Sequence, residues 1–261
     1  MNNMNSTTDF NMGLRQVWSY RGLAIKGFIG SVLILIGIQT TQAQSQSSDK
    51  SWYFGIAGGA NINFYRGTTQ RLNSDLKVST AFQNGNGIGM YVAPLIEFHQ
   101  PDTRFGFMLQ AGIDSRKGKF KEVTTPCNCP ADLSTDLSYF TVEPSLRIAP
   151  FKSDFYLYIG PRFAFNMRES FTYEKGINPA NPEQVAKPAV TGDFSDLKKN
   201  LISFQIGAGF DIPLSLQFMT NQPLLSPFIS FHPYFGQHPR SIESWNVTTV
   251  RLGAALKFGG L

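Results

Sequence analysis

The sequence predicts an all-β fold, an eight-stranded antiparallel up-and-down β-barrel. Eight segments of the 261-residue chain alternate between large apolar side chains on one face and small, polar or charged side chains on the other. No segment with helical periodicity remains to cover the apolar faces. The links between the segments are alternately long and short through most of the chain, as in a closed meander with its long loops on one side.

The first four segments have apolar faces rich in aromatic and branched side chains, opposite Gly, Ala, Asn and charged residues. They are 52–65 with Trp52, Phe54 and Ile56; 87–99 with Ile88, Met90 and Val92; 104–116 with Phe105, Phe107 and Ile113; and 137–148 with Phe140, Val142 and Leu146. Each is long enough for the roughly 9 to 11 residues that a tilted strand needs to cross a bilayer.

The last four segments repeat the pattern. They are 155–166 with Phe155, Leu157 and Ile159; 201–212 with Ile202, Phe204 and Ile206; 224–235; and 249–261 with Val250, Leu252 and Leu256. Segment 224–235 is the weakest, because Phe228 and Tyr234 lie on its otherwise polar face. Five prolines fall on the outward faces, where strand prolines are rare, so they predict bulges or staggered ends: Pro94, Pro144, Pro161, Pro227 and Pro233.

The apolar faces are expected to contact lipid. A two-sheet sandwich could bury them, but its other side would face water, and glycine and alanine are a poor choice for a solvated surface. A small barrel in a membrane has small and compensated polar residues inside and large apolar residues outside. Aromatic side chains near the segment ends, such as Trp52 and Tyr139, suit the interfacial girdles of a transmembrane β-strand array.

Residues 1–43 are predicted to be a cleaved signal peptide, followed by a short segment at 44–51 and the barrel domain at 52–261. Arg15, Arg21 and Lys26 precede an apolar run that is too short to span a bilayer, and Ala43 offers a cleavage site. The translation start is either Met1 or Met12. The net charge of the full chain is +5, and it becomes smaller when residues 1–43 are removed. A positive charge of this size does not predict nucleic-acid binding.

Five motifs resemble the outer-membrane β-barrel domain proteins of the Bacteroidetes type, the PorT-like family. They are FGIAGGANIN (54–63), YFTVEPSLRI (139–148), FYLYIGPRFAF (155–165), FQIGAGFDIP (204–213) and RLGAALKF (251–258). The resemblance implies a porin-like protein of the cell outer membrane. Because every long link falls on one side of an eight-stranded barrel, both chain ends are expected in the periplasm. The implied partners are outer-membrane lipid, the barrel-assembly machinery and a surface or periplasmic protein.

Nine charged residues on the inward faces predict an ion network that fills the lumen: Glu97, Asp114, Arg116, Glu143, Arg147, Arg162, Asp211, Arg251 and Lys257. Glu143 and Arg162 are expected to pair across the turn 149–154. Paired carboxylates, or Ser230 beside His232, could also serve catalysis. No third orienting group and no metal-ligand spacing accompany them, so no catalytic residue, metal or cofactor is predicted.

Cys127 and Cys129 lie in a predicted external loop. An oxidising compartment favours disulfides, but bridging residues two apart makes a small ring. A disulfide within the loop, a link to another chain and free thiols all remain open.

The predicted function is that of an integral, non-enzymatic outer-membrane barrel. Its lumen is closed by side chains, and its external loops serve binding or surface structure. The alternatives are an accessory component of a protein-secretion machine and, third, a lipid-modifying enzyme.

Overall fold

The computed structural model describes residues 51–99, 103–151, 153–181, 183–214, 223–233, 239–243 and 245–259. The predicted signal peptide and most of the short segment after it lie outside the described residues. No helix among the described residues is long and apolar enough to cross a membrane.

Eight long strands form the barrel. They are β1 (Ser51–Arg66), β2 (Gly85–His99), β3 (Phe105–Phe120), β4 (Pro130–Ile148), β5 (Phe155–Lys175), β6 (Asn200–Phe210), β7 (Leu224–His232) and β8 (Asn246–Gly259). Short strands accompany them in the connections. Thr69–Arg71 pairs with Lys77–Phe82, Val123–Thr124 with β4, Val190–Asp193 with β5, and Ile212–Pro213 with β7.

The eight strands pair antiparallel in chain order and close into a ring. The closure joins β1 to β8 from Tyr53↔Gly259 to Arg66↔Asn246. Closure leaves no sheet edge in the wall, which is the condition for strands to cross a lipid bilayer. The predicted fold class and strand count are confirmed.

In the half of the barrel that carries the short turns, the outward face is a continuous apolar band. On β3, β4 and β5, outward apolar side chains run through 105–113, 140–148 and 155–165. These spans match the 9 to 11 residues that a tilted strand needs for the hydrocarbon layer. Inward positions hold glycine, alanine, tyrosine, polar and charged side chains, with Leu95, Met108 and Phe228 among them.

Strands β3, β4 and β5 continue beyond this band, and there the polarity of the two faces is reversed. The inward side chains become apolar, as at Phe120, Leu133 and Leu137, while Lys117 and Asp136 face outward. The reversal is typical of a barrel wall that has left the lipid. The predicted long links 117–136 and 167–200 were therefore wrong in part, because much of each is strand.

A register shift in β5 accompanies the reversal. Pairing with β4 changes between Ser138↔Arg168 and Tyr139↔Asn166, so Met167 is the extra residue of a bulge. One extra residue exchanges the two faces of a strand. Beyond it Phe171 and Tyr173 point inward into the apolar interior.

The prolines do not mark bulges. Val142↔Phe163 and Leu146↔Ile159 keep the same register on either side of Pro144 and Pro161, which lie opposite each other. Pro94 and Pro227 pair in register with β1 and β8 respectively. Only Pro233 lies just after its strand. The expected bulges were wrong because a proline removes one ladder hydrogen bond without changing the residue count of its strand.

Candidate functional site in the barrel lumen

The centre of the lumen holds an ion cluster around Glu143, which we call the central cluster. Glu143 points inward from β4 and is fully buried. Its Oε1 atom accepts from Arg162 Nε at 3.1 Å, and its Oε2 atom accepts from an Arg251 guanidinium nitrogen at 2.9 Å. Glu143 and Arg162, expected to pair across the β4–β5 hairpin, are therefore in direct contact.

Asp114 is the second carboxylate of the central cluster. Arg162, Arg251 and Arg116 all contact it, Arg251 at 3.4 Å and Arg116 Nε at 3.2 Å. The amide of Asn61 also donates to it at 2.5 Å. Three guanidinium groups thus share two carboxylates, so the cluster carries one excess positive charge.

Aromatic rings complete the packing of this layer. The Arg251 guanidinium carbon lies 3.4 Å from the centroid of the Tyr91 ring, a cation–π contact. The Tyr91 hydroxyl donates to Gln110 at 2.7 Å. These bulky groups occupy the width that an eight-stranded barrel offers.

A second cluster lies at the end of the barrel that carries the short turns, and we call it the turn-side cluster. Lys257 Nζ lies 2.6 Å from Glu97 and 2.9 Å from Asp211, and Arg147 lies 3.0 Å and 2.8 Å from the same two carboxylates. The contacts of Glu97 are ion pairs by distance without hydrogen-bond geometry. His99 is also 2.9 Å from Glu97. The two clusters contain all nine charged residues that the sequence placed in the lumen.

Ser230 and His232 also lie in the lumen, with Ser230 Oγ 2.9 Å from His232 Nε2. Both are 1% exposed. His232 Nδ1 has no hydrogen-bond partner among the described residues, so these residues do not supply the third group of a catalytic triad. The described residues contain no group of three or more His, Cys, Asp or Glu side chains that could hold a metal ion.

The mouth opposite the short turns is closed by an apolar lid that sequence reasoning missed. Inward side chains of the strand extensions pack against side chains of the loops 67–84 and 176–199 and against Trp245. The main members are Tyr65, Leu72, Val78, Phe82, Phe120, Leu133, Phe171, Phe194 and Trp245. Ring contacts join Trp245 to Tyr65, Phe120 and Phe194.

Arg240 and Glu243 join three of the loops at this mouth. Arg240 is 1% exposed and donates to the carbonyl oxygens of Leu72 and Ser195 and to the Glu243 carboxylate, the last at 2.7 Å. Glu243 accepts from the backbone N–H groups of Gln70 and Arg71, each at 2.7 Å. The only sequence signal was an Arg and a Glu three residues apart.

Cys127 and Cys129 form a disulfide with each other, with Cα atoms 5.3 Å apart. Asn128 between them has a positive φ of 56°, a conformation that asparagine tolerates better than most residues. Thr125 N–H and Oγ1 both donate to the Cys129 carbonyl at 2.9 Å.

An outer membrane protein beta-barrel domain model matches residues 42–231. The chain belongs to this family. No curated protein matches the sequence significantly. Solved structures of similar fold include neisserial surface protein A, at 12% identity and a TM-score of 0.33, covering 82% of this chain and 99% of that one.

Two further solved barrels are similar at the same level. The Yersinia pestis attachment invasion locus protein Ail is 12% identical with a TM-score of 0.33, covering 79% of this chain and 98% of that one. OprG from Pseudomonas aeruginosa is 10% identical with a TM-score of 0.32, covering 82% and 98%. The family membership makes the chain an outer-membrane β-barrel protein.

Proposed function

We propose that the protein is a closed, non-enzymatic barrel that presents a fastened set of external loops for binding or surface structure. The carrying observation is double closure: the ion clusters fill the lumen at the level of the lipid, and the apolar lid fills the external mouth. An eight-stranded barrel has room for side chains or one small ligand. With the lumen filled, the loops are the surface left for a partner.

The orientation follows from the connections. The short links between β2 and β3 and between β4 and β5 lie at one end, and the extensions of β3, β4 and β5 stand at the other. Outer-membrane barrels have short periplasmic turns and long external loops. We therefore place the extensions outside the cell and both barrel ends of the chain in the periplasm, reached through a cleaved signal peptide at 1–43.

Within the family, the five motifs quoted above support placement in the PorT-like group. The proposed partners are outer-membrane lipid, the barrel-assembly machinery and a surface or periplasmic protein, with no nucleic acid. Neither Ser230 nor His232 reaches lipid from the lumen, which supports a non-enzymatic role.

Fractionation of cells tests the proposal. The protein should sediment with the outer membrane, resist alkaline carbonate and migrate differently on gels after heating, because a closed barrel unfolds only when heated. A membrane-impermeant amine reagent should label Lys198 and Lys199 in the external loop on intact cells. Recovery in the soluble periplasm would contradict the barrel, and labelling only after lysis would contradict the orientation.

A further inference from the structure

The disulfide between Cys127 and Cys129 lies in a turn that hydrogen bonds already close. Pairing of Val123–Thr124 with the start of β4 holds the two sides of the turn together. Within the turn, the Thr125 N–H donates to the Cys129 carbonyl, and the Asn128 N–H donates to the Thr125 carbonyl, each at 2.9 Å. A disulfide stabilises more when it closes a longer stretch of chain, and this one joins residues only two apart. Its contribution to the stability of the fold is therefore small.

The two cysteines differ in accessibility. Cys127 is exposed at the tip of the loop, between the exposed residues Pro126 and Asn128, whereas Cys129 is fully buried. A thiolate attacks a disulfide at one sulfur atom and expels the other, and access decides which sulfur is attacked. The loop therefore directs attack to Cys127 and makes Cys129 the leaving group.

Both cysteines already face a hydrogen-bond acceptor that suits the reduced form. Cys127 Sγ lies 3.1 Å from Thr125 Oγ1, whose own proton is donated to the Cys129 carbonyl at 2.9 Å. Cys129 Sγ lies 3.4 Å from the Cys127 carbonyl oxygen. After reduction each thiol can donate to the acceptor that it faces, and the buried Cys129 thiol is then not left unpaired. The same backbone thus accommodates the oxidised and the reduced loop.

We propose that the loop 125–129 is a site of thiol–disulfide exchange with an external thiol. The incoming thiolate forms a bond to Cys127 Sγ, the bond between the two cysteine sulfurs breaks, and Cys129 leaves as a thiolate that takes a proton from water. A second thiolate attacks the sulfur of the first and releases Cys127 as a thiolate. Two external thiols are thereby oxidised to one disulfide, and the disulfide of the loop is reduced to two thiols.

This exchange adds to the proposed function without depending on it. The exchange is stoichiometric, so it is compatible with a non-enzymatic barrel. It requires only that the loop lie in water beyond the apolar band, and it holds for either orientation of the barrel in the membrane. Surface labelling of intact cells and the exchange reaction can therefore fail separately.

The test is the reaction of the purified full chain in nanodiscs with reduced glutathione, stopped with acid and analysed by peptide mass spectrometry. Glutathione should be attached to Cys127 at least ten times as often as to Cys129. A synthetic peptide with the sequence of residues 121–133 is the matched control. Both of its sulfur atoms are accessible, so it should carry comparable amounts on the two cysteines. An equal distribution in the folded protein, or no adduct, would overturn the proposal.

Two single variants test accessibility by a separate reaction. Cys129→Ser leaves the Cys127 thiol, and Cys127→Ser leaves the Cys129 thiol. Because reactivity follows exposure, N-ethylmaleimide should modify the first variant at least ten times as fast as the second. Heat-dependent gel mobility reports that each variant is folded. Equal rates in the two folded variants would contradict the assignment of Cys127 as the attacked residue.

The double variant Cys127→Ser with Cys129→Ser distinguishes exchange from a structural role. The strand pairing and the hydrogen bonds of the turn do not involve sulfur, so the rate of protease cleavage within 121–133 should be unchanged. Faster cleavage would show that the disulfide holds the loop in place and would overturn the proposal.

A folded protein with a single exposed cysteine, used in place of glutathione, distinguishes protein thiols from small ones. Residues 126–128 are all exposed, so this protein should also become attached at Cys127. Attachment of glutathione alone would contradict access for protein thiols and would assign the site to small thiols.

Discussion

Glu143 is contacted by two arginines, and its loss should cost more than the loss of either partner. Replacing Glu143 with Gln leaves three guanidinium groups against Asp114 alone, which should destabilise the fold by about 3–5 kcal/mol. Arg162→Met removes the excess cation and should cost less. The double variant should recover part of the Glu143→Gln loss. Unfolding by urea in lipid vesicles measures all three, and equal single costs that simply add would contradict the cluster.

Asp154, in the turn between β4 and β5, should make the stability of the protein depend on pH. Partial loss of hydration, and then the nearby Asp211 carboxylate, raise the pKa of Asp154 above its ordinary value. A raised carboxyl pKa means that the folded state holds the proton more tightly, so stability falls as pH rises from the unfolded pKa of about 3.9 through the folded one. Asp154→Asn should therefore stabilise the protein at pH 7 and have no effect at pH 3. Thermal unfolding in detergent at both pH values checks this, and a gain that persists at pH 3 would point to another cause.

At the scale of single residues, the inward position of the nine lumen charges could be predicted from period two alone. Their partners could not, because Glu143 and Arg251 are 108 residues apart and meet only through the β1–β8 closure. The contact between Glu143 and Arg162 could be predicted because one short turn joins their strands. The excess positive charge follows from counting the charges, but its location in the central cluster requires the structure.

At the scale of elements, β4 offers a direct test of which face meets lipid. Val142 points outward in the middle of the apolar band, and Thr141 next to it is fully buried in the lumen. Val142→Arg should cost roughly 2–4 kcal/mol, the penalty for arginine at mid-membrane depth. Thr141→Arg should instead act through crowding and charge, so its cost should not depend on bilayer thickness. Folding into vesicles of short-chain and long-chain lipids separates the two, and identical thickness dependence would contradict this assignment of the faces.

The ends of the strands were the least predictable feature of the elements. The sequence pattern indicated that β5 ends at 166, whereas the strand continues to Lys175. The alternation breaks there because the Met167 bulge exchanges the faces, and because the wall beyond it is apolar inside and polar outside. A rule that expects apolar residues to face outward finds no strand in such a segment.

At the scale of the whole molecule, the closure of the barrel has two independent layers. The ion clusters belong to the strands and follow from their alternation. The lid depends on Arg240, which contacts residues far from it in the chain. Leu72 is 168 positions away and Ser195 is 45 positions away. No local sequence pattern indicates such a contact, so the lid could not be predicted from the sequence.

The two layers predict that the protein does not conduct ions even when its lid is loosened. Arg240→Ala removes the donor shared by three loops and leaves the half-buried Glu243 without its cation, so the loops should become accessible to protease. The central cluster does not touch Arg240 and should still fill the lumen. Planar-bilayer recordings of the unmodified protein and of Arg240→Ala should therefore both lack stable, large conductance steps, while limited proteolysis distinguishes them. Steps in the variant alone would show that the lid is the sole barrier, and steps in both would mean that the lumen is open.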